Sequence, residues 1–463
     1  MQITLKNIGT IEQASFDLDK DLIVFVGPNN TGKTYAAYCL YGLGRFDKFL
    51  HNQQFENLFP DMSALFSEGK FEIDLLKIFT RENLEKILEQ CSVHYKTFLP
   101  RIFALSEDKF EQSNIQLRLK QGFCIESFIA DLKFSTISAQ LNEAKYSFSK
   151  EKNSHVIEIA FESRNLNGHH IQIDKIRSVQ FIKEVIWNNI LSGIISINEP
   201  IFLTAERIGI SLFWKDIYGN RFVKANDFAQ IFSDNIDKAK EYIDRNLSSY
   251  SQVLLDSFRN YDRSIRYAGD FVDNPTFNKL VEEIETRILK GAIHADENSE
   301  VYFTPSSSKP IKIQHSGSNI KSLASLIFYL KSDARVGQTL FIDEPEINLH
   351  PDNQRLVARI LAKLSKLGVK VIISTHSDYI IREINNLIML YKEHPETKDL
   401  REKFGYDESE ILDCKRVGAY LFKNHEATEI EVNETGMEAA TIDEEINKLN
   451  NTSNEIFWTL FED

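Results

Sequence analysis

The sequence predicts an α/β protein, a mixed sheet flanked by helices and interrupted by a mainly helical insertion. Three stretches carry that prediction. In each, a short apolar run fit for a buried strand ends in polar residues. "DLIVFV" runs into "GPNNTGKT" at residues 27–34, "TLFI" into Asp343 and Glu344, and "VKVII" into Ser374, Thr375 and His376. Ligands of open α/β sheets bind at the carboxyl ends of the strands, so three such ends point to one site.

The first stretch meets the pattern G-x-x-x-x-G-K-[ST] with Gly27, Gly32, Lys33 and Thr34. Glycines let the backbone wrap until successive N–H groups face phosphate oxygens, with Asn29, Asn30 and Thr31 filling the loop between them. Lys33 would place a cation near the β- and γ-phosphates of ATP, and the Thr34 hydroxyl would ligate Mg²⁺. The following run, "TYAAYCLYGLG", predicts a helix whose positive end meets the anion.

In the second stretch Asp343 would hold Mg²⁺ and Glu344 would orient and activate the attacking water, a task that needs a carboxylate beside the γ-phosphate. In the third, the imidazole of His376 would sense the γ-phosphate by hydrogen bonding.

Composition bounds the rest. The chain has 463 residues, 42% of them hydrophobic, and a formal charge of −14. So acidic a chain lacks the cationic footprint of a nucleic-acid binder, although a local basic strip would not show in the total. Cys39, Cys91, Cys124 and Cys414 are scattered, as in a reduced cytoplasmic protein without a disulfide frame or zinc site. No apolar run approaches the roughly 20 residues a membrane helix needs.

Together "GPNNTGKT", "FIDEPEINLHP" and "ISTHSDYII" resemble the ATP-binding-cassette (ABC) ATPase head, and within it the soluble branch of overcoming-lysogenization-defect (OLD), RecF-like and SMC-like ATPases. The resemblance covers residues 1–44 and about 195–395. It implies a homodimer, or a higher homo-oligomer, closed around shared ATP sites. It also implies a signature segment that caps the ATP of the opposite protomer, for which "HSGSNIKSLASLIFYL" at 315–330 is the candidate. There Ser316 and Gly317 would start a helix facing the second γ-phosphate, with Leu323, Leu326, Ile327 and Leu330 at helical spacing; a simple Ser-Gly cap is the plainer reading. "IFLTAERIGI" is similar to a "PAER" element of related heads, with Glu206 and Arg207 either ion-paired or reaching the nucleotide. No glutamine is assigned to the Q-loop.

Lys33 and Asp343 lie 310 positions apart, so something is inserted. We divide the chain into 1–44, the first part of the head; 45–194, a helical insertion with a β-hairpin in "HVIEIAFESRNLNGHHIQIDKI"; 195–395, the second part of the head, with a helical subregion at 222–291; and 396–463, an α+β extension. "RNLNGH" fits the R-x₄-H spacing of HEPN ribonucleases, but Asn165, Asn167 and Gly168 favour a tight turn. The tail has no D-x-D pair of the kind OLD nucleases carry in a Toprim domain. The expectation is therefore an ATPase without a nuclease of its own. It resembles the ATPase subunits of PARIS- and Septu-type anti-phage systems, in which a separate effector, a nuclease or toxin, does the damage. The alternative is a RecF- or SMC-like ATPase that binds DNA directly in repair or chromosome handling.

Overall fold

A computed structural model describes residues 1–45, 57–132, 134, 137–141, 144–163, 175–217, 250–267, 275–437 and 440–461. Its centre is a nine-stranded mixed sheet. From one edge to the other the strands are Asn114–Arg118, Gln2–Ile8, Ile11–Asp17, Glu426–Ile430, Val417–Lys423, Leu22–Val26, Lys370–Thr375, Thr339–Asp343 and Ile201–Leu203. The last five run parallel to one another, with Ser374 opposite Asp343 and Thr375 opposite Val26. The strands Leu22–Val26 and Thr339–Asp343 are buried along their whole length, as expected for continuous apolar runs covered on both faces. Their carboxyl ends all lie on one edge, as the three motifs predicted.

Helices cover both faces. Lys33–Arg45 leaves the loop at Thr31 and Gly32 and packs Ala36, Leu40 and Leu43 into one apolar core. Ser318–Ser332 buries Leu323, Leu326, Ile327 and Leu330 in a second core on the other side of the sheet, with Pro351–Lys366 and Asp378–Met389. The sheet's own side chains divide between the two, Ile23 and Phe25 facing one and Leu22, Val24 and Val26 the other, which is the alternation a strand imposes.

Two regions differ from expectation. The stretch 45–194 does hold helices, chiefly Arg81–Lys96 and Lys175–Ile195, but it also supplies the edge strand Asn114–Arg118 and a four-stranded antiparallel sheet. In that sheet Val156–Ser163, the first arm of the expected hairpin, pairs with Lys70–Asp74 and Ala144–Ser149. Lys175 and Ile176, read as the end of its second arm, begin a helix. The segment "RNLNGH" lies outside the described residues, as do residues 218–249, which include the first part of the expected helical subregion. The rest of that subregion is helical at Gln252–Arg266 and Pro275–Glu283.

The tail strands lie within the sheet. Val417–Lys423 is hydrogen-bonded to the phosphate-loop strand Leu22–Val26 on one side and to Glu426–Ile430 on the other. A boundary at residue 395 therefore cuts through a continuous sheet. The physical reason is that alternation identifies a strand but says nothing of its neighbour.

Candidate functional site

The phosphate loop is held by its backbone. Gly27 has φ +141°, and a Cβ there would stand 2.2 Å from the Phe422 carbonyl oxygen of the adjacent strand. Gly32 has φ +105° and a Cβ there would meet Ile11 Cγ1 at 2.5 Å. Asn30, at φ +61°, takes the left-handed conformation that asparagine tolerates. Thr31 Oγ1 donates to Pro28 O at 2.8 Å and pins the loop across its mouth, while Asn29 and Asn30 are exposed.

Lys33 is only 6% exposed. Its ammonium donates to Gly27 O at 2.9 Å and Pro28 O at 2.7 Å. Burial pulls its pKa down to about 8, against the attraction of Asp343, Glu344 and Glu346.

Asp343 ends its strand buried between two hydroxyls. Thr34 Oγ1 donates to one of its oxygens at 3.1 Å, and Ser374 Oγ donates to the other. Burial raises the Asp343 pKa and those two hydrogen bonds oppose the rise. Thr34 and Asp343, predicted from segments 309 residues apart, are thus in contact.

Glu344 has φ +48°, a left-handed backbone that a non-glycine residue adopts only under constraint, at a cost on the order of 1–3 kcal/mol. The constraint is visible. Its N–H donates to Ser374 O at 2.9 Å and its carbonyl accepts from Arg207 Nη2 at 2.7 Å. The turn aims the side chain out of the sheet edge, where Oε1 lies 3.8 Å from His376 Nε2. Burial, and then the charge of Lys33, lower the His376 pKa from the ordinary histidine value, which favours the neutral imidazole.

Three further residues belong to the site. Glu346 is buried and accepts from Thr375 Oγ1 at 2.9 Å and from the His376 N–H at 2.7 Å, fixing the end of that strand. Its Oε2 is buried without a partner, and burial raises its pKa. Ser374 clamps Asp343. Arg207 is neither ion-paired with Glu206 nor open to a nucleotide. It is buried and donates to the carbonyls of Thr204 at 3.1 Å, Asp343 at 2.7 Å, Glu344 at 2.7 Å and Ser322 at 2.9 Å. It ties the Asp-Glu turn to the helix Ser318–Ser332; burial lowers its pKa to about 10. Glu206 is exposed. The available signal for Glu346 was its place two residues beyond Glu344. Arg207 was marked by the "AER" element, but its role was not, because all four of its partners are backbone atoms.

Ser316 and Gly317 stand apart. Ser316 is buried and donates its hydroxyl to Ile313 O at 2.7 Å in a short turn. Gly317, not Ser316, is the N-cap of Ser318–Ser332, and no side chain caps it. Gly317 and Ser318 are exposed. Neither reading of Ser316 as a cap nor a contact of it with Lys33 is seen within the chain; a helix start with free N–H groups faces outward instead.

For a nucleotide with Mg²⁺ the donor set fits. Among the described residues no group of three His, Cys, Asp or Glu side chains could hold a metal alone. Mg²⁺ does not need one, since it takes one or two protein oxygens and completes its shell with water and phosphate oxygens. Thr34 and Asp343 offer such a pair beside a loop shaped for phosphates. Nor is any helix among the described residues long and apolar enough to cross a membrane.

A family model described as an AAA ATPase domain matches residues 1–381, a span that includes all three motifs. No curated protein matches the chain. Among solved structures it is similar to an SMC head bound to the C-terminal winged-helix domain of ScpA, with 10% identity, 93% of this chain and 96% of that one covered, and a TM-score of 0.32. It is also similar to the SMC head domain from Thermotoga maritima, with 11% identity, 93% and 98% covered, and a TM-score of 0.31. A third is an SMC head with an extended coiled coil bound to the C-terminal domain of ScpA from Pyrococcus furiosus, with 11% identity, 96% and 98% covered, and a TM-score of 0.31.

Proposed function

This chain belongs to the AAA ATPase domain family, and we propose that it binds and hydrolyses ATP at an ABC-type site shared between two copies, as the moving part of a two-protein system. The observation that carries the reading is the meeting of Lys33, Thr34, Asp343, Glu344 and His376 at one sheet edge, drawn from three distant segments.

Each side chain has a task there. Lys33 exchanges the carbonyls of Gly27 and Pro28 for phosphate oxygens, and its charge then offsets theirs. Thr34 and Asp343 would hold Mg²⁺, which when bound neutralises charge on the phosphate oxygens. Glu344, aimed outward by its left-handed turn, accepts a proton from the attacking water. His376, neutral and fixed by Glu346 at its own N–H, donates or accepts a hydrogen bond at the γ-phosphate. The outward start of Ser318–Ser332 supplies uncapped N–H groups to the ATP of a second copy.

The role outside the site rests on the likeness of the motifs to OLD-like ATPases. On that ground we read the protein as a sensor or scaffold of anti-phage defence that governs a separate nuclease or toxin and cuts no nucleic acid itself. Metal-dependent cleavage of DNA or RNA that co-purifies with the chain and is lost on mutating its own carboxylates would overturn that part.

The test of the chemistry is Glu344→Gln, which keeps shape and removes the proton acceptor. Hydrolysis should fall by about 10²–10⁴ fold with ATP affinity kept. Turnover at the parental rate would show that Glu344 is not the base.

A further inference from the structure

Among the described residues, nothing covers the apolar side of the last part of the C-terminal helix Ala440–Phe461. Ile456, Phe457, Leu460 and Phe461 recur at three- and four-residue spacing, with Leu449 two turns earlier, and all five are exposed, Phe461 by 73%. Among the described residues, the Phe457 ring meets other aromatic rings only on its own helix, Trp458 edge-on and Phe461 tilted. Side chains of this kind in water mark a surface that another surface covers.

The matching surface is a groove beside the helix Asp378–Met389. Met389, Leu400 and Phe404 form its apolar wall, all three exposed, Phe404 by 57%. Arg355, Lys392 and Lys403 line it with His394, and among the described residues no carboxylate does. Lys403 lies over the Phe404 ring, while Lys392 and Arg355 are ion-paired to Glu434 and Glu383 beyond the groove. The tail is of the opposite sign: residues 438–463 carry seven carboxylate side chains and one lysine.

The helix cannot fill the groove of its own chain with its aromatic end. Met437 is bonded to Asn385 in both directions, at 2.8 and 2.9 Å, so the root of the helix sits beside the groove residue Asn386. A helix rises about 1.5 Å per residue, which carries Phe457 roughly 26 Å from Ala440 whatever direction the helix takes. Pairing of two such helices with each other would bring like charges together, whereas the groove offers Lys403 and, among the described residues, is lined by no carboxylate.

We propose that the aromatic end of this helix docks in the Met389–Phe404 groove of a second copy of the chain, each copy giving one helix and receiving one. Such an exchange is a closed two-fold contact. It needs no nucleotide and is separate from the ATP interface, so the two stand or fall independently.

The test uses the full chain without nucleotide, its mass read by light scattering. The parent should exceed the mass of one chain. A helix variant, Phe457→Glu with Leu460→Glu, and a groove variant, Leu400→Glu with Phe404→Glu, should each weaken pairing by at least about tenfold, the scale of losing buried aromatic anchors. All four positions are exposed, so the fold should be kept, and unchanged ATP turnover checks it. Mixing the two variants should restore pairing in part, because the intact helix of one fits the intact groove of the other. A parent of single-chain mass, a groove variant that still pairs, or a mixture that regains nothing would each overturn the proposal.

Discussion

Two glycine-bearing turns each deliver the chain into a helix, one at Gly27–Thr34 and one at Ser316–Gly317, and they are finished to different degrees. The first is closed within the chain. Its lysine is buried against loop carbonyls, its threonine touches Asp343, and its first glycine is pressed on the backbone of Phe422. The second is open. Its cap has no side-chain partner and its first helical residue faces solvent. Each alone is an anion-ready helix end. On the proposed shared site, the difference separates the half of the chemistry that one chain completes from the half that it would present to another.

The comparison breaks most sharply at the two glycines. Gly27→Ala places a Cβ against the Phe422 oxygen in a conformation alanine rarely adopts, so ATP affinity should fall by about a hundredfold or more, consistent with a strained backbone at a contact site. Gly317→Ala meets the far end of the Asn319 side chain at 2.7 Å, with an ordinary φ, and ATP binding by the isolated chain should stay within about threefold, as for surface changes away from such features. Equal losses on titration calorimetry would contradict the contrast.

Arg207 joins the two regions, so Arg207→Lys tests their coupling. Lysine cannot reach four carbonyls as a planar fork does. The Asp343–Glu344 turn should loosen, with turnover down by about tenfold or more and thermal stability lowered by about 1–3 kcal/mol, while ATP affinity changes less. Parental turnover would remove Arg207 from the account.

The smallest effect concerns pH. Burial lowers the Lys33 pKa to about 8 in the free chain, and the negative charge of bound phosphates would raise it. Above that pH, binding must take up a proton, so affinity should weaken as pH rises, by at most about tenfold per unit, and be flat below it. Calorimetry in two buffers of different ionisation enthalpy reads the proton directly. Proton release on binding at pH 9 would reverse the sign and refute the assignment.

What the sequence showed and what it hid follow one rule. The side chains to which we assign work on the nucleotide were legible, because Lys33, Thr34, Asp343, Glu344 and His376 sit in local patterns whose spacing that chemistry would dictate. Contacts made far along the chain were not. Val417–Lys423 reads as a strand, yet nothing in it names Leu22–Val26 as its neighbour. Arg207 acts through backbone atoms, which leave no mark on the residue types around it. Ser316 has the right letter for a cap, but the turn from Ile313 uses its hydroxyl first and passes the cap to Gly317.

The shared ATP site is tested most directly by mixing two inactive chains. Lys33→Ala removes the cation that meets the phosphates. Ser318→Glu puts a carboxylate in the first turn of the open helix, where it suits the helix dipole and so keeps the fold, yet repels a γ-phosphate. Each variant alone should lose hydrolysis and ATP-dependent pairing, because both sites of its dimer carry one lesion. In a mixed dimer one site carries both lesions and the other neither. The account predicts that ATP-dependent pairing returns on mixing, with turnover up to the yield of mixed dimers. If differently tagged chains are shown to exchange and neither pairing nor turnover returns, the helix start does not serve the ATP of a second copy.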